Sequence, residues 1–87
     1  MDIRQTLAAN IRRYRRLRGW SQEDLAFTAG LHRTYISGVE RGVRNPTILV
    51  LDQIADALGT SASQLLLQGP PPPTLDIAAH PDKVGKP

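Results

Sequence analysis

The sequence predicts an all-α protein, a compact bundle of five helices followed by a proline-rich tail. Apolar residues recur at helical spacing up to about residue 68, and no segment alternates apolar and polar residues as a half-exposed strand would. Six of the seven prolines lie after Gly69, four of them in succession, and consecutive prolines favour an extended polyproline II rod. We therefore divide the chain into an ordered domain, residues 1–68, and a tail, residues 69–87.

The first predicted helix carries a stripe of apolar residues. They recur at the spacing of one helical face, and they are Ile3, Leu7, Ile11 and Tyr14. We expect Gly19 to end this helix, because glycine commonly follows a helix C-terminus. The arginines that point away from the stripe are interpreted as a solvated face: Arg12, Arg13 and Arg16.

Two short helices follow, separated by a tight turn. Ser21 is the expected N-cap of the second helix, with Asp24 in the capping-box position. Gly30 ends this helix and permits a sharp bend. The third helix is predicted over residues 32–41, and Gly42 ends it. The side chains expected to pack these two helices into the core are Leu25, Ala26, Ala29, Ile36 and Val39.

Two further helices complete the predicted bundle. Thr47 is the expected N-cap of the fourth helix, and Gly59 ends it. The predicted apolar face of this helix consists of Ile48, Leu51, Ile54, Ala55 and Leu58. The run Ser61-Ala62-Ser63-Gln64 has the spacing of a capping box and opens a short fifth helix. That helix extends through three leucines, Leu65, Leu66 and Leu67.

The second and third helices have the features of a helix-turn-helix, in which one helix is braced so that its outer face is free. The residues expected on that outer face are short, polar or basic: Arg33, Thr34, Ser37, Gly38 and Arg41. Such a face suits a helix in the major groove of DNA, where a guanidinium can donate to two acceptors of guanine. A glycine inside a helix costs about 0.5–1 kcal/mol relative to alanine. We interpret Gly38 as a position where a side chain would hold the helix away from the bases.

The charge distribution is asymmetric. All nine arginines lie in the first 44 residues, which carry four acidic residues, so that part has a net charge of +5. The remainder carries two lysines and four aspartates, a net charge of −2. A basic half indicates a polyanionic partner, although a solvated basic helix is the alternative.

Several classes of protein are excluded by the composition. Without cysteine there is no disulfide framework and no thiolate metal site, and His32 and His80 lack the neighbouring ligands that a metal needs. The hydroxyls of Ser21, Thr47 and Ser61 are interpreted as helix caps, because no histidine base is placed to activate them. The N-terminus has no apolar run as long as that of a signal peptide. No segment approaches the run of about 18 apolar residues that a membrane span needs. We expect a cytoplasmic protein that is not an enzyme and takes no metal, cofactor or small-molecule ligand.

The run SQEDLAFTAGLHRTYISGVERGVRNPTILVLDQIADALG resembles the DNA-binding domain of the phage-repressor-like (XRE, or Cro/C1-type) helix-turn-helix family. The residues that fall in register are Ala26, Gly30, Ile36, Val39, Glu40-Arg41-Gly42 and Asn45-Pro46. Within the family, HRTYISGVERGVRNP is similar to the corresponding run of controller proteins of restriction–modification systems. The resemblance covers about residues 5–68.

The resemblance implies an all-helical domain that binds DNA as a two-fold dimer and inserts its third helix into the major groove. It implies that Arg15 and Glu40 pair to join the first and third helices. Tyr35 either packs beneath the fourth helix or reaches the DNA. His32 replaces the small residue that usually caps the third helix. The DNA contacts expected from the resemblance and the outer face together are Gln22, His32, Arg33, Thr34, Tyr35, Ser37, Arg41, Arg44 and Asn45.

The fourth and fifth helices carry more apolar side chains than one helical face can bury. The surplus residues are Leu49, Val50, Leu66 and Leu67. Exposed apolar surface often marks a protein contact, so we predict a homodimer formed through this side of the molecule. Its two recognition helices are expected to lie about 34–36 Å apart, one turn of DNA.

These observations predict a sequence-specific transcriptional regulator that binds a pseudo-palindromic operator as a homodimer. The controller resemblance adds the hypothesis that it regulates restriction–modification genes together with its own gene. Two alternatives use the same fold. In the first, an antitoxin would bind DNA and hold a partner with the proline-rich tail. In the second, a protein-interaction module would not bind DNA.

Overall fold

The computed structural model describes residues 2–68, and these residues form five α-helices without a β-strand. The predicted all-α fold is confirmed. In chain order the helices are α1 (Ile3–Leu17), α2 (Gln22–Ala29), α3 (Arg33–Glu40), α4 (Ile48–Leu58) and α5 (Ala62–Leu65). Several predictions lie outside the described residues: the polyproline rod, the tail as an attachment for a partner, and His80.

Hydrogen bonds from side chains fix where the helices begin. Ser21 and Asp24 form the predicted capping box at α2, with oxygen–nitrogen distances of 3.0 and 2.9 Å. Thr47 accepts the N–H of Val50 at α4, as predicted. Asp2 also forms a capping box, with Gln5, and the sequence prediction missed it. A cap of this kind contributes about 1 kcal/mol to helix stability.

The turn between α2 and α3 depends on Gly30. Its φ angle is 73°, in the left-handed region that residues with a side chain rarely adopt. The N–H groups of Gly30 and Leu31 donate to the carbonyls of Phe27 and Ala26, which is the hydrogen-bond pattern of a Schellman motif. This turn ends α2 and redirects the chain so that α3 packs across it.

Every helix contributes at least one fully buried side chain to the core, and α4 contributes two, Ile54 and Ala55. The residues that are 0% exposed are, in chain order, Ile11, Leu25, Ile36, Ile54, Ala55 and Leu65. The prediction of burial was wrong for two residues of the apolar faces, Ile3 and Ile48, because both are exposed. Each is the first residue of its helix, at the edge of the bundle, so neither reaches the centre.

A buried polar side chain attaches the end of the domain to α1. The amide of Asn10 donates to the carbonyls of Leu65 and Leu67, both at 2.8 Å. The α5 helix ends at Leu65 and not at Leu67 as predicted, and Asn10 satisfies carbonyls that the short helix leaves unpaired. The Ser61 hydroxyl accepts a hydrogen bond from the Gln64 N–H, so within residues 2–68 one of the two hydrogen bonds of the predicted capping box is present.

Candidate nucleic-acid interface

The outer face of α3 is polar and accessible, while its inner face is buried. Ile36 and Val39 point into the core, and Arg33 and Thr34 are exposed on the other side. Of the predicted DNA-contacting residues, those exposed are His32, Arg33, Thr34, Arg41, Arg44 and Asn45, and those half-buried are Gln22, Tyr35 and Ser37. All of them belong to α3, to its flanks or to the first turn of α2. Their contact with DNA remains a prediction.

Glu40 braces α3 from beneath. Its carboxylate accepts two hydrogen bonds from the Arg15 guanidinium, at 2.8 and 3.0 Å. The same carboxylate accepts a third from the side-chain amide of Gln22, at 3.1 Å. Glu40 is only 4% exposed, so these bonds compensate for the removal of its charge from water. One carboxylate therefore joins α1, α2 and α3.

Gln22, which is one of the predicted DNA contacts, is the first residue of α2. Its bond to Glu40 fixes the side-chain amide, so the group does not have to be ordered when a ligand arrives. The N-terminus of a helix carries partial positive charge from its backbone N–H groups, which favours an anion. The structure therefore fixes Gln22 at the start of α2, and its contact with a phosphate stays a prediction.

The α1 arginines are not simply a solvated face, and that prediction was wrong in part. Arg12 is half-buried and donates a guanidinium hydrogen to the backbone carbonyl of Glu40, at the C-terminus of α3. Arg13 is also half-buried, whereas Arg16 is exposed. The three line a shallow cleft with Ala9 and Leu17. Arg12 therefore provides a second connection between α1 and α3.

Gly38 was predicted to lie on the exposed outer face of α3, and that part of the prediction was wrong, because the Arg44 side chain covers it. Its predicted role in bringing the helix close to the bases stays a prediction. Gly38 is buried, and a Cβ at this position would lie 2.5 Å from Cγ of Arg44, closer than two carbons can approach. The loop after α3 folds back over Gly38, whose carbonyl accepts the N–H groups of Val43 and Arg44. The absence of a side chain at residue 38 leaves room for the side chain of Arg44.

Arg44 is held on the ring of Tyr35. Its guanidinium carbon lies 5.7 Å from the ring centroid, within the range of a cation–π interaction. Tyr35 is half-buried and packs against the hydrophobic core with part of its ring. The packing alternative for Tyr35 is therefore partly correct, and the ring also supports a basic side chain. Sequence reasoning missed this pair, although Gly42 ending α3 signals that the following residues turn back over the helix.

His32 occupies the N-cap of α3 but makes no side-chain hydrogen bond to the helix. The first turn of α3 carries no acidic residue either. An exposed helix start with this composition presents N–H groups and partial positive charge beside Arg33. The departure from a small cap residue therefore leaves an electropositive helix end.

Exposed apolar side chains lie at the start of α4 and after α5. Leu49 is 81% exposed and Leu67 is also exposed, whereas Val50 and Leu66 are half-buried and pack against the core. Ile48, which was predicted to be internal, is 81% exposed and adds to this group. We call Ile48, Leu49 and Leu67 the apolar surface. None of the helices described here is long and apolar enough to cross a membrane.

Sequence comparison supports the likeness suggested by the motif. A helix-turn-helix family model matches residues 11–65. The control protein C.SmaI of Serratia marcescens is 53% identical over 66 residues, which cover 76% of this chain and 79% of that protein. The resemblance to controller proteins is thus confirmed at the level of sequence.

Comparison with solved structures supports the same family relationship as the sequence comparison. The crystal structure of the hypothetical transcription factor NHTF from Neisseria matches with a TM-score of 0.74 and 45% identity, covering 90% of this chain and 85% of that chain. The restriction–modification controller protein C.AhdI from Aeromonas hydrophila matches with a TM-score of 0.69 and 39% identity, covering 71% of this chain and 94% of that chain. The chain belongs to the XRE (Cro/C1-type) helix-turn-helix family of DNA-binding transcriptional regulators.

Proposed function

We propose that this regulator binds a pseudo-palindromic operator as a homodimer and places α3 of each subunit in the major groove. The observation that supports this most directly is the exposed polar face of α3 above the Glu40 brace. A helix of eight residues has little stability of its own, so its direction is set by the residues beneath it. The brace fixes that direction before DNA is present.

Base recognition is assigned to the exposed side of α3. Arg33, in the first turn, can donate two parallel hydrogen bonds to a guanine edge. Thr34 can offer its hydroxyl to a base or its methyl to thymine, and Ser37 lies one turn further along. Arg33 and Thr34 are exposed and Ser37 is half-buried.

Phosphate contacts are assigned to the residues that surround the exposed polar face of α3. Gln22 is fixed at the start of α2, and Arg44 and Asn45 lie in the loop after α3. His32 and Arg41 stand at the two ends of α3. Contacts with the backbone set the register of a protein on DNA but do not read its sequence. We therefore expect this group to contribute affinity for all duplexes.

The dimer is assigned to the apolar surface. Leu49 and Leu67 project outward, and burying them against a second copy removes apolar area from water. Val50 and Leu66 contribute their remaining exposed part at the rim. A two-fold contact on this side would present two α3 helices to successive major grooves.

The regulated genes are assigned from the relatives. C.SmaI is named as a control protein, and C.AhdI is described as a restriction–modification controller. We propose that this chain controls the genes of a restriction–modification system, together with its own gene. Such a regulator responds to its own concentration, because dimer formation and operator binding both depend on it.

Selection of bound duplexes from a random pool tests the proposal. The expected product is a pair of inverted half-sites whose centres are separated by about one helical turn. A single uninverted site would contradict dimeric binding. Recovery of no enriched sequence, with no shift of any duplex at low salt, would contradict operator recognition altogether. A parallel sedimentation measurement reports the assembly state without DNA.

A further inference from the structure

We infer that Gly38 is a positioning residue for DNA binding. Its lack of a side chain lets the stem of Arg44 cross α3, and Tyr35 then holds the Arg44 guanidinium where it can contact one backbone phosphate. This inference rests on the proposed binding of DNA by the α3 face. It adds a reason for the mid-helix glycine and gives Tyr35 a role as a platform.

The backbone brings Arg44 to this place. The Val43 N–H donates to the Gly38 carbonyl at 3.0 Å, and the Gly42 N–H donates to Val39 at 3.0 Å, which together form a Schellman motif. The Arg44 N–H donates to the same Gly38 carbonyl at 3.2 Å. Because three N–H groups tie the loop to the last turns of α3, the start of the Arg44 side chain is fixed over Gly38.

The stem of the Arg44 side chain lies directly over Gly38. Atoms Cγ, Cβ and Cδ of Arg44 would lie 2.5, 3.5 and 3.7 Å from a Cβ at residue 38. The clash involves the part of the side chain nearest the backbone, so it cannot be relieved by moving the guanidinium alone. An alanine at residue 38 must displace Cγ of Arg44, and we expect this displacement to take the guanidinium off the ring of Tyr35.

Holding the guanidinium has a consequence for binding. An exposed arginine has many rotamers, and fixing it on binding opposes association. The ring of Tyr35 limits those rotamers while leaving the charge and the planar set of donors accessible to a phosphate. Tyr35 and Gly38 thus act through Arg44, and neither needs to touch the DNA for this effect.

The test is a double-mutant cycle with Gly38→Ala, Arg44→Ala and the double variant. The probe is a random-sequence duplex, with affinity measured between 50 and 200 mM salt. One phosphate contact contributes a slope of about 0.9 in log affinity against log salt, or a change of about 3.5-fold over this range. We expect Arg44→Ala and Gly38→Ala each to lose that contribution. Adding Gly38→Ala to Arg44→Ala should change neither the slope nor the affinity.

Two results would overturn the inference while leaving DNA binding intact. If Gly38→Ala weakens binding equally with and without Arg44, the glycine acts by allowing the helix close to the DNA. If Gly38→Ala leaves the salt slope unchanged while Arg44→Ala lowers it, Arg44 does not depend on Gly38. Arg16→Ala removes one exposed positive charge from α1, outside the proposed site, and is the matched control for charge alone.

A measurement without DNA separates this inference from the proposed function. Ring currents of Tyr35 should shift the Arg44 side-chain protons upfield in the NMR spectrum. The shift should persist in Tyr35→Phe, which keeps the ring, and disappear in Tyr35→Leu and Gly38→Ala. Identical Arg44 shifts in the wild type and Gly38→Ala would overturn the inference. Failure of the wild type to bind any duplex would instead overturn the proposed function.

Discussion

The guanidinium of Arg15 and the carboxylate of Glu40 form a two-pronged ion pair, with nitrogen–oxygen distances of 2.8 and 3.0 Å. This pair connects the C-terminal part of α1 to the last residue of α3. The amide of Gln22 completes the set at 3.1 Å. The orientation of the proposed recognition helix therefore depends on a carboxylate that does not itself face the DNA.

Replacing Glu40 with glutamine should destabilise the fold by about 3 kcal/mol, because it leaves the Arg15 charge without its partner in a largely buried place. Urea denaturation followed by circular dichroism measures this loss. Glu23→Gln is the matched control, since Glu23 is exposed, and its effect should stay within about 0.5 kcal/mol. Equal stability of the two variants would contradict the role of the brace.

Replacing Arg33 with alanine should cost about 1–3 kcal/mol of binding free energy for the selected operator and relax the preference at one base pair. The physical reason is the loss of two hydrogen bonds to a base edge. Fluorescence anisotropy with the operator and its single-base variants measures both effects. Arg16→Ala should retain the full base preference. Unchanged preference in Arg33→Ala would remove this residue from base recognition.

Replacing Leu49 with glutamate should convert the proposed dimer to a monomer, because a charge would be buried at the contact. Folding should be preserved, since Leu49 is 81% exposed in the single chain. Analytical ultracentrifugation gives the assembly state. Phe27 is even more exposed, at 88%, and lies on α2, so Phe27→Glu is the matched control and should remain dimeric. A dimer in Leu49→Glu would place the contact elsewhere.

Asp2 should titrate well below an ordinary aspartate. Its pKa is lowered from 3.8 to about 2, first by the hydrogen bonds from the Arg4 side chain and then by the Arg4 backbone N–H. Since the folded pKa lies below the unfolded one, the ionised cap stabilises α1 above pH 3.8, and this stabilisation is lost as the pH falls through about 2. An NMR titration of the carboxyl carbon measures the midpoint.

Arg4→Ala provides the control for that titration. Removing the guanidinium should raise the Asp2 midpoint toward 3.8 while leaving the backbone cap in place. The same midpoint in both proteins would show that the Arg4 side chain has no effect on the carboxylate. Because the pair is exposed, added salt should also reduce the difference between them.

The helices and most of the core could be predicted from the sequence because local rules govern them. Ser21, Gly30 and Thr47 serve as the cap and turn residues that their chemistry indicates. Burial was less predictable at helix starts. Ile48 has the spacing of a core residue, but the packing of neighbouring helices decides whether the first turn of α4 is covered.

Gly38 shows a second limit of sequence reasoning. Helical spacing placed it beside Arg33 and Thr34, on the proposed DNA face. What occupies the space above it depends on a loop that returns from six residues further along, at Arg44. Periodicity describes one helix at a time and contains no information about such a return. The proposed DNA contacts of Arg33, Thr34 and Arg44 remain predictions for the same reason, since their partner is another molecule.

The enclosure of one side chain from every helix has a genetic consequence. Because α5 supplies Leu65, a stop codon that falls after α4 but before residue 65 removes a fully buried core side chain, even though α1 to α4 remain in the product. Such a fragment is expected to be degraded by the cell instead of competing with the intact regulator for operator sites. Nonsense alleles of this gene should therefore be recessive, whereas a missense change confined to the outer face of α3 can produce a dominant allele.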